Sequence, residues 1–360
     1  MPATTVAISG EKFLINDQPT HAGRSFRGRS IEGMLFNSRM ANAIVDDRNP
    51  ATIGAWAYPD GPWSAARNTA AFIAALPLYK RSGLDAVAIN LQGGSPQGYS
   101  FHQPWLLSGF APDGTPYPAA LARAEAVFAA ADRLGMVVIL GLFYGAAAQT
   151  LDGEAAVIRA TTLACDWLAA SGARNVLLEI CNEIDVPGVT HPILKPARHA
   201  ELLALARARC PTIAISTSYR GGAVPPDHLI SGCDYLLLHG NHVETPDAIR
   251  AQVDATRASA AYRGQPILFN EDDHYDFEQP DNNMVAAISR GAGWGYFDYR
   301  GIKEKFEDGY QSLPVDWSIN APRKRGFFTL LAEVTGALAP VTGALAPATG
   351  ALAPATGTPT

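Results

Sequence analysis

A chain of 360 residues, 48% of them hydrophobic and 17% charged, has the apolar content for a large core and the length for one large domain or two ordinary ones. A formal net charge of −6 excludes a phosphate-binding surface, and the one tight basic cluster, Arg323-Lys-Arg325, is short and sits at a helix start after Pro322, so no nucleic-acid partner is expected. Cys165, Cys181, Cys210 and Cys233 lack C-x-x-C spacing, which excludes a zinc ribbon or disulfide framework, and no motif calls for a cofactor.

In chain order, Met1–Ile15 lacks the basic-then-apolar pattern of a secretory leader, and no apolar stretch reaches membrane-spanning length. A cytoplasmic protein without membrane contact is the default expectation; a leader already removed would leave a secreted one looking the same. Val6–Ile15 reads as a hairpin capping a barrel floor, within an N-terminal segment 1–22. Ile31–Phe36 supplies a first strand. Then one unit recurs: an amphipathic helix, a glycine stop, a short apolar strand. Phe72, Leu76 and Tyr79 share a helix face, with Pro77 expected to kink it; Gly83 ends it and Ala86–Asn90 follows. Leu121, Phe128 and Leu134 precede Gly135 and Met136–Leu140. Val157, Thr161, Ala164 and Leu168 precede Gly172 and Val176–Ile180. Continuous apolar strands of this kind are buried on both faces of a parallel sheet. Ile213–Ser216, Tyr235–Leu238, Pro266–Phe269 and Gly293–Tyr296 continue the strands; Ala197–Arg209, Pro246–Ser259, Asn283–Arg290 and Arg323–Val334 continue the helices. About eight βα units predict an α/β fold, a single (β/α)8 barrel over 23–334, with a doubly wound open sheet as the competing topology. From Val334 the chain repeats a Thr-Gly-Ala-Leu-Ala-Pro unit whose Gly and Pro bar a coiled coil, so 335–360 is expected to be a disordered low-complexity tail.

In such a barrel, chemistry gathers where strands end at their C-terminal edge. The predicted strand ends carry Asn90 and Gln92, Tyr144, Asn182 and Glu183, Ser216 and Tyr219, His239 and Asn241, Asn270 and Glu271, and Trp294 and Tyr296. Two of these are carboxylates, at the fourth and seventh strand ends, on opposite sides of one mouth. Cleavage of a glycoside needs such a pair: one protonates the leaving oxygen, the other attacks the anomeric carbon when the carboxyls stand roughly 5 Å apart. Different protonation states are then expected, with Glu183 raised by partial burial and Glu271 kept ionised by neighbours such as Arg39.

Val176-Leu-Leu-Glu-Ile-Cys-Asn-Glu183 and Ile267-Leu-Phe-Asn-Glu271 resemble the fourth- and seventh-strand ends of the clan of retaining (β/α)8 glycoside hydrolases, nearest to the family of cellulases and mannanases. Ile184 stands where that family usually has Pro, and Asp272-Asp-His274 after the second Glu is unusual for it. The resemblance implies a carbohydrate substrate, Glu183 as acid/base, Glu271 as nucleophile and Asn182 on the sugar 2-hydroxyl. It further implies that Arg39 orients Glu271, that His239 or Tyr219 contacts the nucleophile or the sugar, that Asn90 faces the site, and that Trp294 is a stacking floor for the sugar.

Plainer readings stand beside these. The two glutamates as rim carboxylates held by arginine, Arg39 as a loop anchor, and His239 and Trp294 as core residues are the alternatives. Glu179 reads as part of a buried ion-pair network. Tyr99, Phe101, Trp105 and Phe110 either wall a cleft or pack their loop. A metal-dependent barrel enzyme using His239-Gly-Asn-His242 and Glu271-Asp-Asp-His274 is the first rival function, although the site proposed needs no metal; a non-catalytic carbohydrate-binding barrel is the second.

Overall fold

A computed structural model describes residues 3–98, 103–305 and 308–340. Tyr99, Phe101 and most of the repeated tail (341–360) lie outside these residues. The N-terminal hairpin is present: β1 (Val6–Ser9) and β2 (Lys12–Ile15) pair antiparallel with Val6 opposite Ile15, and β3 (Gln18–Pro19) pairs with β2. Asn16 and Asp17, both at positive φ, make the turn between β2 and β3, a conformation these side chains tolerate. A second small hairpin, β4 (Ser25–Phe26) with β5 (Arg29–Ser30), follows.

Eight parallel strands then alternate with helices: β6 (Asn37–Arg39), β7 (Ala86–Asn90), β8 (Val137–Tyr144), β9 (Val176–Asn182), β10 (Ile215–Ser216), β11 (Leu236–His239), β12 (Ile267–Glu271) and β13 (Gly295–Phe297). Six are hydrogen-bonded in the order β10-β9-β8-β7-β6-β13, and β11 pairs with β12. Two isolated parallel bridges join these sheets into a ring: Ser218 to Leu237, just beyond β10, and Leu268 to Gly293, just before β13. The helices are α1 (Ala65–Arg81), α2 (Pro118–Asp132), α3 (Gly153–Ser171), α4 (His199–Arg209), α5 (Asp227–Ile230), α6 (Pro246–Ala258), α7 (Asn283–Ser289) and α8 (Pro322–Thr335). The architecture is the (β/α)8 barrel, and the open doubly wound sheet is set aside.

One expectation is corrected. The first barrel strand is Asn37–Arg39; the apolar run before it, Ile31–Phe36, is buried without strand pairing. The reason is local: Gly33 sits at φ +83 against Lys12, and the Phe36 amide donates to the Asp85 carboxylate, so the run turns beneath the barrel before pairing begins. Helix α1 runs through Pro77 from Ala65 to Arg81, held on either side by the buried Leu76 and Tyr79.

Strand alternation divides the core into two shells. Val87, Ile89, Val138, Leu140, Leu178 and Ile180 face the helices. Ala86, Ala88, Val137, Ile139, Leu177, Leu237 and Leu268 face inward, where Phe13 of the hairpin joins them and meets Tyr235 edge-on at 5.8 Å. The next inward positions up the same strands are Asn90, Glu179, His239 and Asn270, so the lumen turns polar toward the C-terminal mouth. Among the described residues no helix is long and apolar enough to cross a membrane.

Candidate active site

The polar layer is organised around Arg39, the last residue of β6, fully buried in the lumen. Its Nη1 donates to Glu179 Oε2 at 2.6 Å, its Nη2 to Asn182 Oδ1 at 2.8 Å, and its Nε lies 3.0 Å from Glu271 Oε1. With its amide oxygen turned to the guanidinium, Asn90 accepts from Nη2 at 3.2 Å, and Gly141 on the neighbouring strand leaves room for that amide, since a Cβ there would sit 2.4 Å from it. Burial opposes the charge on Arg39, yet Glu179 and Glu271 hold it firmly protonated. Glu179, on β9, is the buried ion-pair partner, also accepting from Ser218 Oγ at 2.7 Å. Burial works against its charge, but Arg39, His239 and Ser218 bring its carboxyl below the usual range.

Glu271 ends β12 and is buried. Besides Arg39, Tyr144 donates to its Oε1 at 3.2 Å and Asn241 Nδ2 to its Oε2 at 2.8 Å. The end of β11 is shaped to meet it. A register shift between Leu238 and His239 sets His239 opposite Glu271, and the Gly240 amide donates to the Glu271 carbonyl at 2.7 Å. Such a bulge re-aims a side chain at a strand end. Position 240 must be glycine for this approach, because a Cβ would lie 2.1 Å from Asp272 Oδ2.

Glu183 follows β9 at φ +47, left-handed backbone that is unusual away from glycine and typical of functional turns. The turn is held by Ser218, whose Oγ accepts from the Glu183 amide at 3.1 Å and whose carbonyl accepts from the Ile184 amide at 3.1 Å. Ile184 is buried, so the position usually taken by Pro serves here as an apolar anchor. The Glu183 side chain is 20% exposed, against 2% for Glu271. His239 Nδ1 stands between the two, 3.0 Å from Glu183 Oε1 and 3.5 Å from Glu271 Oε2. One oxygen of each glutamate and a ring nitrogen of His239 all lie within 4.8 Å of one another.

Burial disfavours a charged His239, but Glu271, Glu183 and Glu179 outweigh it and raise its pKa above the ordinary value. For Glu271 burial dominates: its carboxyl is pushed up, with Glu183 and Glu179 adding to the rise, while His239 and Arg39 pull it back. The desolvation of a fully enclosed carboxylate exceeds what its two cations return.

Arg39, Asn90, Asn182, Glu183, His239 and Glu271 are thus brought together. One expected site residue is not. Trp294 is fully buried on the outside of the barrel wall, its indole donating to Asp272 Oδ2 at 3.1 Å and its ring packed on Phe277 and Phe327, so no face is left for a sugar. It lies one residue before β13, where a side chain alternates outward. Tyr219 is buried, its pKa raised by that burial, and its hydroxyl bonds neither carboxylate. Tyr144 and Asn241 take the places beside Glu271; their strand-end positions were the signal that pointed to them. The candidate metal ligands separate into two groups, Glu183 with His239 and Glu271, and Asp272 with Asp273 and His274, while His242 is exposed.

Fold and site together define a (β/α)8 barrel with a clamped carboxylate pair at its mouth. No protein-family model and no curated protein matches the chain. Solved structures do. A glycoside hydrolase family 5 protein from Bacteroides vulgatus ATCC 8482 matches with a TM-score of 0.53 at 12% identity, over 91% of this chain and 70% of that one. A broad-specificity endoglucanase from Bacteroides salanitronis gives a TM-score of 0.54 at 13% identity, covering 87% and 98%. A xyloglucan-specific endo-β-1,4-glucanase from a metagenomic library, solved with cellotriose, gives 0.53 at 13%, covering 82% and 95%. Of a further Bacteroides vulgatus structure, at TM-score 0.55 and 15% identity, the chain spans 57% of the length. At these identities the likeness is one of fold.

Proposed function

We propose that the protein is a retaining glycoside hydrolase, with Glu271 as nucleophile and Glu183 as acid/base. The observation that carries this is the carboxylate pair: oxygens within 4.8 Å, one group sealed in the lumen and the other open to the mouth. Retaining enzymes place their carboxyls about 5–5.5 Å apart, whereas inverting ones leave roughly 6.5–9.5 Å for a water. Glu271 attacks the anomeric carbon as the glycosidic bond breaks, and the leaving oxygen takes the proton of Glu183. Water then gives a proton back to Glu183 as its oxygen displaces the glycosyl ester, restoring both residues. Arg39, Tyr144 and Asn241 fix the attacking carboxylate. The amide oxygen of Asn182 is committed to Arg39, which leaves its amide nitrogen to donate to a sugar hydroxyl.

The test is covalent trapping with a panel of activated 2-fluoro glycosides followed by peptide mapping. A single glycosyl adduct on Glu271 is expected; an adduct elsewhere, or none across the panel while turnover persists, removes the assignment. A metal-centred reading has one observation on its side, the Glu183–His239–Glu271 cluster. Against it, the Arg39 guanidinium 3.0 Å from Glu271 Oε1 already gives that carboxylate a permanent positive partner. Turnover that survives exhaustive chelation separates the two readings.

A further inference from the structure

The loops that follow β13, β6 and β7 line a cavity of about 320 Å³ with Trp56, Gln97, Trp105, Arg300, Leu313 and Pro314 among others; two residues before Leu313, Gln311 Oε1 lies 3.4 Å from the Tyr144 hydroxyl that bonds Glu271. This lies at the lower end of the roughly 300–1,000 Å³ of small-ligand sites. Its donors are unevenly committed. The Trp56 indole donates to Asp47 Oδ2 at 2.6 Å, but the indole nitrogen of Trp105, its ring 5.5 Å away and edge-on, is buried with no acceptor among the described residues.

Arg300 is the larger anomaly. It is only 6% exposed, and its Nε donates to the Pro96 carbonyl at 3.0 Å, which holds the guanidinium in place. Among the described residues no carboxylate pairs with it. Two acids of its own loop are held by Arg323, whose Nε lies 2.6 Å from Asp298 Oδ1 and whose Nη1 bonds Glu304. Burial accordingly lowers the pKa of Arg300, against weak support from Glu304 and Asp308. A buried cation without a counter-ion is costly, and it is rarely kept unless an anion completes it.

We propose that this cavity is a subsite for an acidic sugar, a uronate unit of the substrate, whose carboxylate pairs with Arg300 and accepts from the Trp105 indole. The planar guanidinium offers a carboxylate two parallel donors, and Leu313, Pro314 and the Trp56 ring supply the apolar surface a sugar ring lies against. The sugar part rests on the glycoside hydrolase reading; the anion does not.

The test is calorimetric binding to the full chain carrying Glu271→Gln, so that nothing is hydrolysed. The probes are oligosaccharides bearing glucuronate or galacturonate, and the same compounds after reduction of their carboxyls to neutral sugars. At least one acidic probe is expected to bind about tenfold more tightly than its reduced counterpart, the size of a charge-assisted pair. Arg300→Gln brings the two affinities together, and Trp105→Phe, which keeps the ring and removes the N–H, narrows the gap about threefold. Equal affinities in the parent, no binding of either set, a preference that survives Arg300→Gln, or a preference confined to sulfated glycans overturns the proposal. Should Arg300→Gln fail to fold, as thermal melting would reveal, Trp105→Phe still decides. Charge-dependent binding without any adduct on Glu271 would sink the hydrolase reading and keep the subsite; an adduct without charge preference would do the reverse.

Discussion

The lower half of the barrel lumen is filled by Phe13, Ala86, Val137, Leu177 and Leu268, the upper half by Arg39, Glu179, Asn182, His239 and Glu271. Both halves are buried, and where they share a strand they lie a few residues apart, as Leu177 and Glu179 do. In the lower half each side chain adds its own apolar area, and a loss at one position stays local. In the upper half every charge depends on another: Arg39 alone touches Glu179, Asn182 and Glu271, so removing one partner leaves the rest uncompensated. The barrel is thus an apolar plug beneath a layer of mutually dependent charges, and the two should separate in experiment.

The largest expected effect falls on chemistry alone. Glu183 sits at the rim with a fifth of its side chain exposed and meets the layer through His239 Nδ1 at 3.0 Å, not through Arg39. Glu183→Ala should lower kcat/KM on glycosides with poor leaving groups by roughly 10²–10⁴, the range for lost proton transfer, while activated aryl glycosides keep most of their rate. Equal losses on both substrate types would remove Glu183 as the acid.

Next comes the contrast between the layers. Phe13→Ala empties the floor of the lumen and should cost about 3–5 kcal/mol in denaturant unfolding, with kcat/KM unchanged. Glu179→Ala should cost a similar 3–5 kcal/mol, because Arg39 is left buried without its closest partner, but kcat/KM should fall as well, since the same guanidinium positions Asn182 and Glu271. If Phe13→Ala cripples turnover, or Glu179→Ala leaves it intact, the two halves are not independent.

Much of this was legible in the chain. Helix, glycine stop and apolar strand repeat plainly enough to count about eight units, and Asn182-Glu183 and Asn270-Glu271 mark the two strand ends that hold the proposed pair. Misplacements came where a local signal was outweighed by long-range packing. Ile31–Phe36 has the composition of a strand but passes under the barrel, because pairing depends on where β7 begins. Trp294 has the composition of a sugar platform, but which face it takes follows from one residue of strand phase, and Asp272 fixes it outward. Tyr144 and Asn241 could be seen as rim residues, while their convergence on one carboxylate depends on the bulge at Leu238/His239, which no local pattern announces. Arg300 was invisible for the opposite reason: that no carboxylate among the described residues pairs with it is a property of the folded loops, not of the sequence.

The smallest expected effect is the most diagnostic, a movement of the pH profile. In the free enzyme the acid limb of kcat/KM follows ionisation of the nucleophile, here as part of the coupled cluster with His239 and Glu183. Burial raises Glu271 above its ordinary 4.5, so the limb should lie above that value. Substitutions around it should move the limb in opposite directions. His239→Asn takes away a positive charge that favours the carboxylate, so Glu271 holds its proton to higher pH and the limb shifts up. Glu183→Gln takes away a negative charge that opposes ionisation, so the limb, followed on an activated aryl glycoside, shifts down. A structural role for His239 would change rate or stability without moving the limb. Shifts of the same sign in both variants would mean that the titrating group is not Glu271, and would place the nucleophile outside the clamped layer.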